Sequence, residues 1–104
     1  MKTYRIKIGT SYKAAIIASY EDLVSTFGQP MKGDDVKIEA EWIIRLPNNR
    51  IATIYNYKNS RCWSDELPEI TQVRGWHIGG HKSDVVDPVL AMLGDKAKLV
   101  DRAA

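Results

Sequence analysis

Two β-rich runs, Lys37-Ile38-Glu39-Ala40-Glu41-Trp42-Ile43-Ile44-Arg45 and Ile51-Ala52-Thr53-Ile54-Tyr55-Asn56-Tyr57, flank Leu46-Pro47-Asn48-Asn49-Arg50. β-Branched and aromatic residues favour strands, whereas Pro and two Asn favour a turn, so this stretch predicts an antiparallel hairpin. Ile38, Ala40, Trp42 and Ile44 share one face of the first strand, leaving Glu39 and Glu41 on a face that reads as solvated. In the second strand Ile51, Thr53, Tyr55 and Tyr57 share one face and Ala52 with Ile54 the other. A strand apolar or aromatic on both faces is expected at the centre of a sheet. A lone hairpin is not stable in water, so further strands and helical cover must come from the rest of the chain.

Tyr4-Arg5-Ile6-Lys7-Ile8 alternates with period two and predicts a strand that breaks at Gly9-Thr10-Ser11. Lys13 to Ala18 suits a strand or a helix, because Ile16, Tyr20, Leu23, Val24 and Phe27 also fit one helical face. A strand is preferred because Ser19 is a good helix N-cap, with Glu21 and Asp22 against the positive end of a helix over about Tyr20 to Phe27. Gly28 closes that helix and Pro30 prevents its continuation. Met31 to Asp35 reads as a polar loop. Lys58 to Glu69 is a twelve-residue polar connection, a length that marks a functional or mobile loop. Ile70 to Ile78 predicts a last strand ending at Gly79-Gly80. Ser83 to Gly94 predicts a second helix, capped by Ser83 or Asp84, with Pro88 near its first turn. From Asp95 the tail is expected to fray or to add one helical turn. The expected fold is α+β, a single domain over residues 1–104 with an antiparallel sheet of four to five strands and two helices packed on one face.

At 104 residues the chain can bury one core. Eleven Ile and nine aromatics place it among globular rather than disordered sequences. The lone Cys62 excludes an intrachain disulfide. No stretch approaches the ~18 to 20 apolar residues of a membrane span, and the amino terminus lacks a signal-like apolar run. A cytoplasmic protein is therefore expected. A formal charge of +2 gives little reason for nucleic-acid binding, although aromatics interleaved with Arg5, Lys7, Arg50, Lys58 and Arg74 would suit a single strand.

Four constellations invite a chemical reading. Gly79-Gly80-His81-Lys82-Ser83, between a strand and a helix, could hold an anionic ligand on free backbone N–H groups with Lys82 adding charge. A tight strand-to-helix connection explains the same glycines and is preferred; His81 also separates Gly80 from Lys82, unlike a Walker loop. His77 and His81 have the spacing of a helical zinc pair, but Gly79-Gly80 interrupts any helix, and completing a site would need Cys62 with Asp65 or Glu66. No metal or other cofactor is expected. Cys62 beside Arg61 lacks an evident base for nucleophilic catalysis, and a hydrolase using His77 or His81 ranks third. The fourth constellation is the long loop. Trp42 and Trp76 fit a core, whereas Trp63, Arg61, Tyr57 and Lys58 are candidate partner contacts, since Trp, Tyr and Arg dominate interface hot spots.

The order and spacing of Gly9-Thr10-Ser11, Ser19 to Pro30 with its Phe27-Gly28-Gln29-Pro30, Ala40-Glu41-Trp42, Ile51 to Lys58 and Trp76-His77-Ile78-Gly79-Gly80 resemble a family of small accessory proteins of tailed bacteriophages. The resemblance implies a host cytoplasm during infection. Leu23 to Pro30 followed by a Trp-bearing strand is also similar to a unit of β-lactamase-inhibitor-like modules, which bind proteins. With no convincing catalytic set and with aromatic and Arg candidates on the long loop, the leading expectation is a non-enzymatic binding protein of phage origin acting on a host protein, as a counter-defence (anti-CRISPR-like) inhibitor. The alternative is a small-molecule binder that captures an anionic nucleotide at Gly79, Gly80, His81 and Lys82.

Overall fold

The computed structural model describes residues 9–103. The strand expected over Tyr4 to Ile8 lies outside them. Within them the order is β1 (Ser11–Ile17), α1 (Tyr20–Phe27), β2 (Met31–Lys32), β3 (Ala40–Arg45), β4 (Ile51–Tyr55), β5 (Gly75–Gly80), α2 (Val86–Leu93) and β6 (Lys98–Arg102). The strands form one antiparallel sheet in the order β2-β3-β4-β5-β1-β6, so the class is α+β with six described strands rather than four or five.

The hairpin forms in the expected place. Glu41 pairs with Tyr55, Trp42 with Ile54 and Ile44 with Ala52, while Asn49 takes the turn's positive φ of 64°, a conformation Asn tolerates better than most residues. β4 lies inside the sheet between β3 and β5. β1 is a strand, which settles the ambiguity at Lys13 to Ala18. α1 starts where Ser19 Oγ accepts a 3.0 Å bond from the Asp22 amide, and ends at Gly28 with φ 87°.

Other boundaries differ from the sequence pattern for identifiable reasons. The first hairpin strand begins at Ala40 because the Asp34 carboxylate gathers the amides of Val36, Lys37 and Ile38, winding that segment into a turn. Met31–Lys32, expected as loop, pairs with β3 at the sheet edge. Ile70–Gln72 is a 3-10 turn, so the following strand starts only at Gly75 and includes the two glycines expected to end it. α2 is preceded by a 3-10 turn over Ser83–Val85. Neither Ser83 nor Asp84 caps it; the Asp84 carboxylate meets Arg50 Nε at 3.1 Å instead. The tail makes one more helical turn, Gly94–Lys96, then pairs with β1 as β6. Arg102 bonds Asp87 at 2.8 Å and the Tyr12 hydroxyl donates to Asp101, contacts that hold this charged segment in place.

Both helices cover the face formed by Ala14, Ile16, Trp42, Ile44, Ala52, Ile54, Trp76 and Ile78; Leu23, Val86, Val89 and Leu93 complete this core. The indoles of Trp42 and Trp76 meet edge to face at 5.4 Å. Their N–H groups donate to the carbonyls of Gly28 and Ala18, so each buried indole fastens one end of α1 to the sheet.

Candidate functional site

The opposite sheet face is not the plain solvated surface that Glu39 and Glu41 suggested. Glu41 is only 5% exposed, and Glu39 is half-buried and accepts a 2.8 Å bond from Ser60 Oγ. Strand register places Glu41, Tyr55, His77, Ala15 and Asp101 side by side across five strands. The His77 ring meets the edges of Tyr12 and Tyr55 at 4.8 and 5.5 Å and stacks on Tyr57 at 5.8 Å. Burial, then the Glu41 charge, then Tyr57, raise the Tyr55 pKa. The Tyr12 pKa is pushed up to about 12, chiefly by its hydrogen bond to Asp101.

Burial also holds the His77 pKa below the ordinary histidine value. On acidification the unfolded chain takes up this proton before the folded one. The contribution is therefore complete above about pH 6.5 and is lost as pH falls through the lower folded pKa. Urea midpoints should fall between about pH 7.5 and about pH 5, and His77→Phe should flatten that difference. An equal slope in the variant would assign it to other groups. Asp34, whose pKa is lowered chiefly by the Ile38 and Val36 amides, acts only in a more acidic window.

Tyr57 leads from this face into the long loop, which is closely tied despite its lack of regular structure. Its root is Asn56, wholly buried, whose amide oxygen accepts from the Glu39 and Ala40 amides at 2.9 and 3.0 Å. Its amide nitrogen donates to Asn59 Oδ1 and Ser60 Oγ. The backbone bonds Lys58 N to Lys37 O, Arg61 N to Pro68 O, Trp63 N to Ser60 O and Leu67 N to Ser64 O fold the remainder. Lys58 makes the bend with φ 56°.

This frame displays a cation between two aromatic rings. Lys58 Nζ lies 5.2 Å from the Tyr57 ring centroid and 5.0 Å from that of Trp63, within cation–π range of both. Tyr57 and Trp63 remain 40% and 45% exposed. Three of the four expected contact residues are thus brought together. The guanidinium of the fourth, Arg61, reaches the Leu67 carbonyl and, at 3.2 Å, Glu69, bonds that brace the loop. Asn56, Ser60 and His77 were missed as parts of this site. An Asn amid a strand-forming run was the available signal for the first; the other two join it only through tertiary register.

The Gly79 to Lys82 corner differs from its expected form. Gly79 and Gly80 are buried within β5, paired to Thr53 and Ala52 on one side and Tyr12 and Ser11 on the other. Their backbone groups belong to the sheet ladder and form no free amide cradle. Close packing explains the glycines: a Cβ at Gly79 would stand 2.5 Å from Thr53 Oγ1, and one at Gly80 2.7 Å from Val85 Cγ2. His81 and Lys82 are exposed beyond the strand. Cys62 Sγ contacts Ser60 Oγ and the Val36 carbonyl. Among the described residues no group of three His, Cys, Asp or Glu is placed to hold a metal, so His77, His81 and Cys62 do not converge. No described helix is long and apolar enough to cross a membrane.

No protein-family model, curated protein or solved structure matches this chain.

Proposed function

We propose that this chain is a non-enzymatic binding protein that acts on another protein, with Tyr57, Lys58 and Trp63 as its contact surface. The observation that carries this reading is the exposed Tyr57–Lys58–Trp63 cluster on a loop anchored through buried Asn56. Exposed aromatics usually bind well only when they need not be ordered at the moment of contact, and the loop's hydrogen bonds supply that order beforehand. The resemblance to phage accessory proteins provides the setting: a host protein in the bacterial cytoplasm, inhibited as a counter-defence measure.

The test is affinity purification from bacterial lysate, followed by measured binding to the purified partner. Trp63→Ala should weaken binding ~30-fold or more, as at an interface hot spot, and shift folding stability by only about 0.5 kcal/mol, as an exposed substitution does. Lys58→Gly should weaken binding without destabilising the fold, because glycine accepts the positive φ at that position. A stoichiometric partner bound equally well by both variants would overturn the reading.

A further inference from the structure

The aromatic cluster continues into a recess at the end of the second sheet face. Ala15, Ile17, Gly75, His77, Asn59 and Val100 bound a space of about 210 Å³. Its walls join the loop on two sides. Asn59, next to Lys58, donates to the Gly75 carbonyl at 2.8 Å, and His77 stacks beneath Tyr57. Ile17 and Val100 are exposed at the rim. Recess, Tyr57, Lys58 and Trp63 therefore form one continuous strip of exposed apolar and aromatic surface, the kind of surface that marks a protein interface.

Resting on the binding function proposed above, we infer that this strip takes an extended protein segment bearing a leucine- or phenylalanine-sized side chain near a carboxylate. The apolar side chain enters the recess; a cavity of ~150 Å³ already accommodates benzene. The carboxylate meets Lys58 between the rings. Charge complementarity selects an acid there. Four acids of the surrounding segments are already engaged, Asp34 by three amides, Asp35 by Lys32, Glu39 by Ser60 and Glu69 by Arg61, which leaves Asp65 and Glu66 as the loop's own competitors for a charged partner. The Lys58 ammonium, by contrast, has only its two rings and no carboxylate among the described residues. An ammonium partly shielded by rings gains more from an incoming carboxylate than a fully hydrated lysine does.

The test is selection of a displayed library of random dodecapeptides on the whole chain, with the enriched peptides then synthesised. Binding is read by titration calorimetry in every variant, and where Trp63 is present also by acrylamide quenching, which reports chiefly on Trp63 because Trp42 and Trp76 are only 3% and 1% exposed. Enriched peptides should pair Leu or Phe with Asp or Glu a few residues away. Replacing that acid by its amide should weaken binding about tenfold to wild type, a typical loss for a charge-assisted hydrogen bond. The same replacement should have little further effect on Lys58→Met. Val100→Glu, at the exposed rim, should weaken binding with an unchanged melting temperature. Asp65→Asn with Glu66→Gln should leave it equal or tighter. Basic peptides that depend on Asp65 and Glu66, or no enrichment at all, would overturn the inference. Peptides that require Trp63 but not an acid would remove only the partner chemistry. Peptides indifferent to both Tyr57→Ala and Trp63→Ala would remove the contact surface as well.

Discussion

Asn56→Ala is expected to lower the unfolding free energy by about 3 to 5 kcal/mol, from loss of a partner for two backbone amides and from the cavity left behind. Asn56 is wholly buried, its oxygen receives two amides, and its nitrogen reaches Asn59 and Ser60. Alanine leaves the Glu39 and Ala40 amides without that acceptor and frees the loop root. Such a loss is a large part of the ~5 to 15 kcal/mol that a domain of this size possesses. Urea denaturation monitored by circular dichroism should show a lower midpoint at an unchanged slope. Quenching of Trp63 should rise, because the loop that presents it is released. Ser60→Ala removes a single node and should cost less. A loss below about 1 kcal/mol in Asn56→Ala would mean that water replaces the side chain at no penalty.

Gly79→Ala should destabilise the fold by about 2 to 3 kcal/mol, the usual range for overpacking a well-filled site. The added carbon would meet Thr53 Oγ1 at 2.5 Å, with the Ser11 carbonyl and Tyr55 Cε1 both at 3.3 Å. Thr53 is buried and its branched side chain has few alternative rotamers, so the clash cannot be relieved by a swing into solvent. Where the backbone is compatible and there is room for a methyl group, Gly→Ala stabilises by restricting the unfolded chain, so the sign itself is diagnostic. Thr53→Ala removes the clashing oxygen and should recover at least ~1 kcal/mol in a double-mutant cycle. Additive effects of the two substitutions would place the strain elsewhere. An anion site at this corner would instead make Gly79→Ala a ligand-binding mutation with little effect on stability.

The readings that held share a short range. Ser19 caps α1 through the amide three residues on, Gly28 closes it, and Asn49 turns the hairpin. Each depends on groups within a few residues, so composition and spacing suffice. The readings that failed are of another kind. Glu41 looked solvated because alternation reports which residues share a face and says nothing about what covers it. Gly79-Gly80 looked like a corner because glycine suits both a turn and a close approach between strands, and only the position of Thr53 distinguishes them. Asp84 looked like a cap, but Arg50, 34 residues away, takes its carboxylate. For the candidate site, exposure of Trp63 was legible from the polar loop around it, whereas Tyr57 read as the end of a strand that in fact stops at Tyr55. The site's geometry was not legible, because Asn56 reaches back 16 and 17 residues and His77 arrives from another strand.

By itself the sequence determined the hairpin, the first helix with its cap, the α+β class and the aromatic loop, all through short-range preferences of backbone and side chain. The tertiary structure alone decided that the charged tail becomes β6, held by contacts such as Tyr12 to Asp101 across 89 residues. It also decided that the two glycines belong to the sheet interior, and that Lys58 stands between two rings beside an apolar recess. Those outcomes depend on which surfaces meet after collapse, where burial and hydrogen-bond satisfaction outweigh the weak local preference of any one segment.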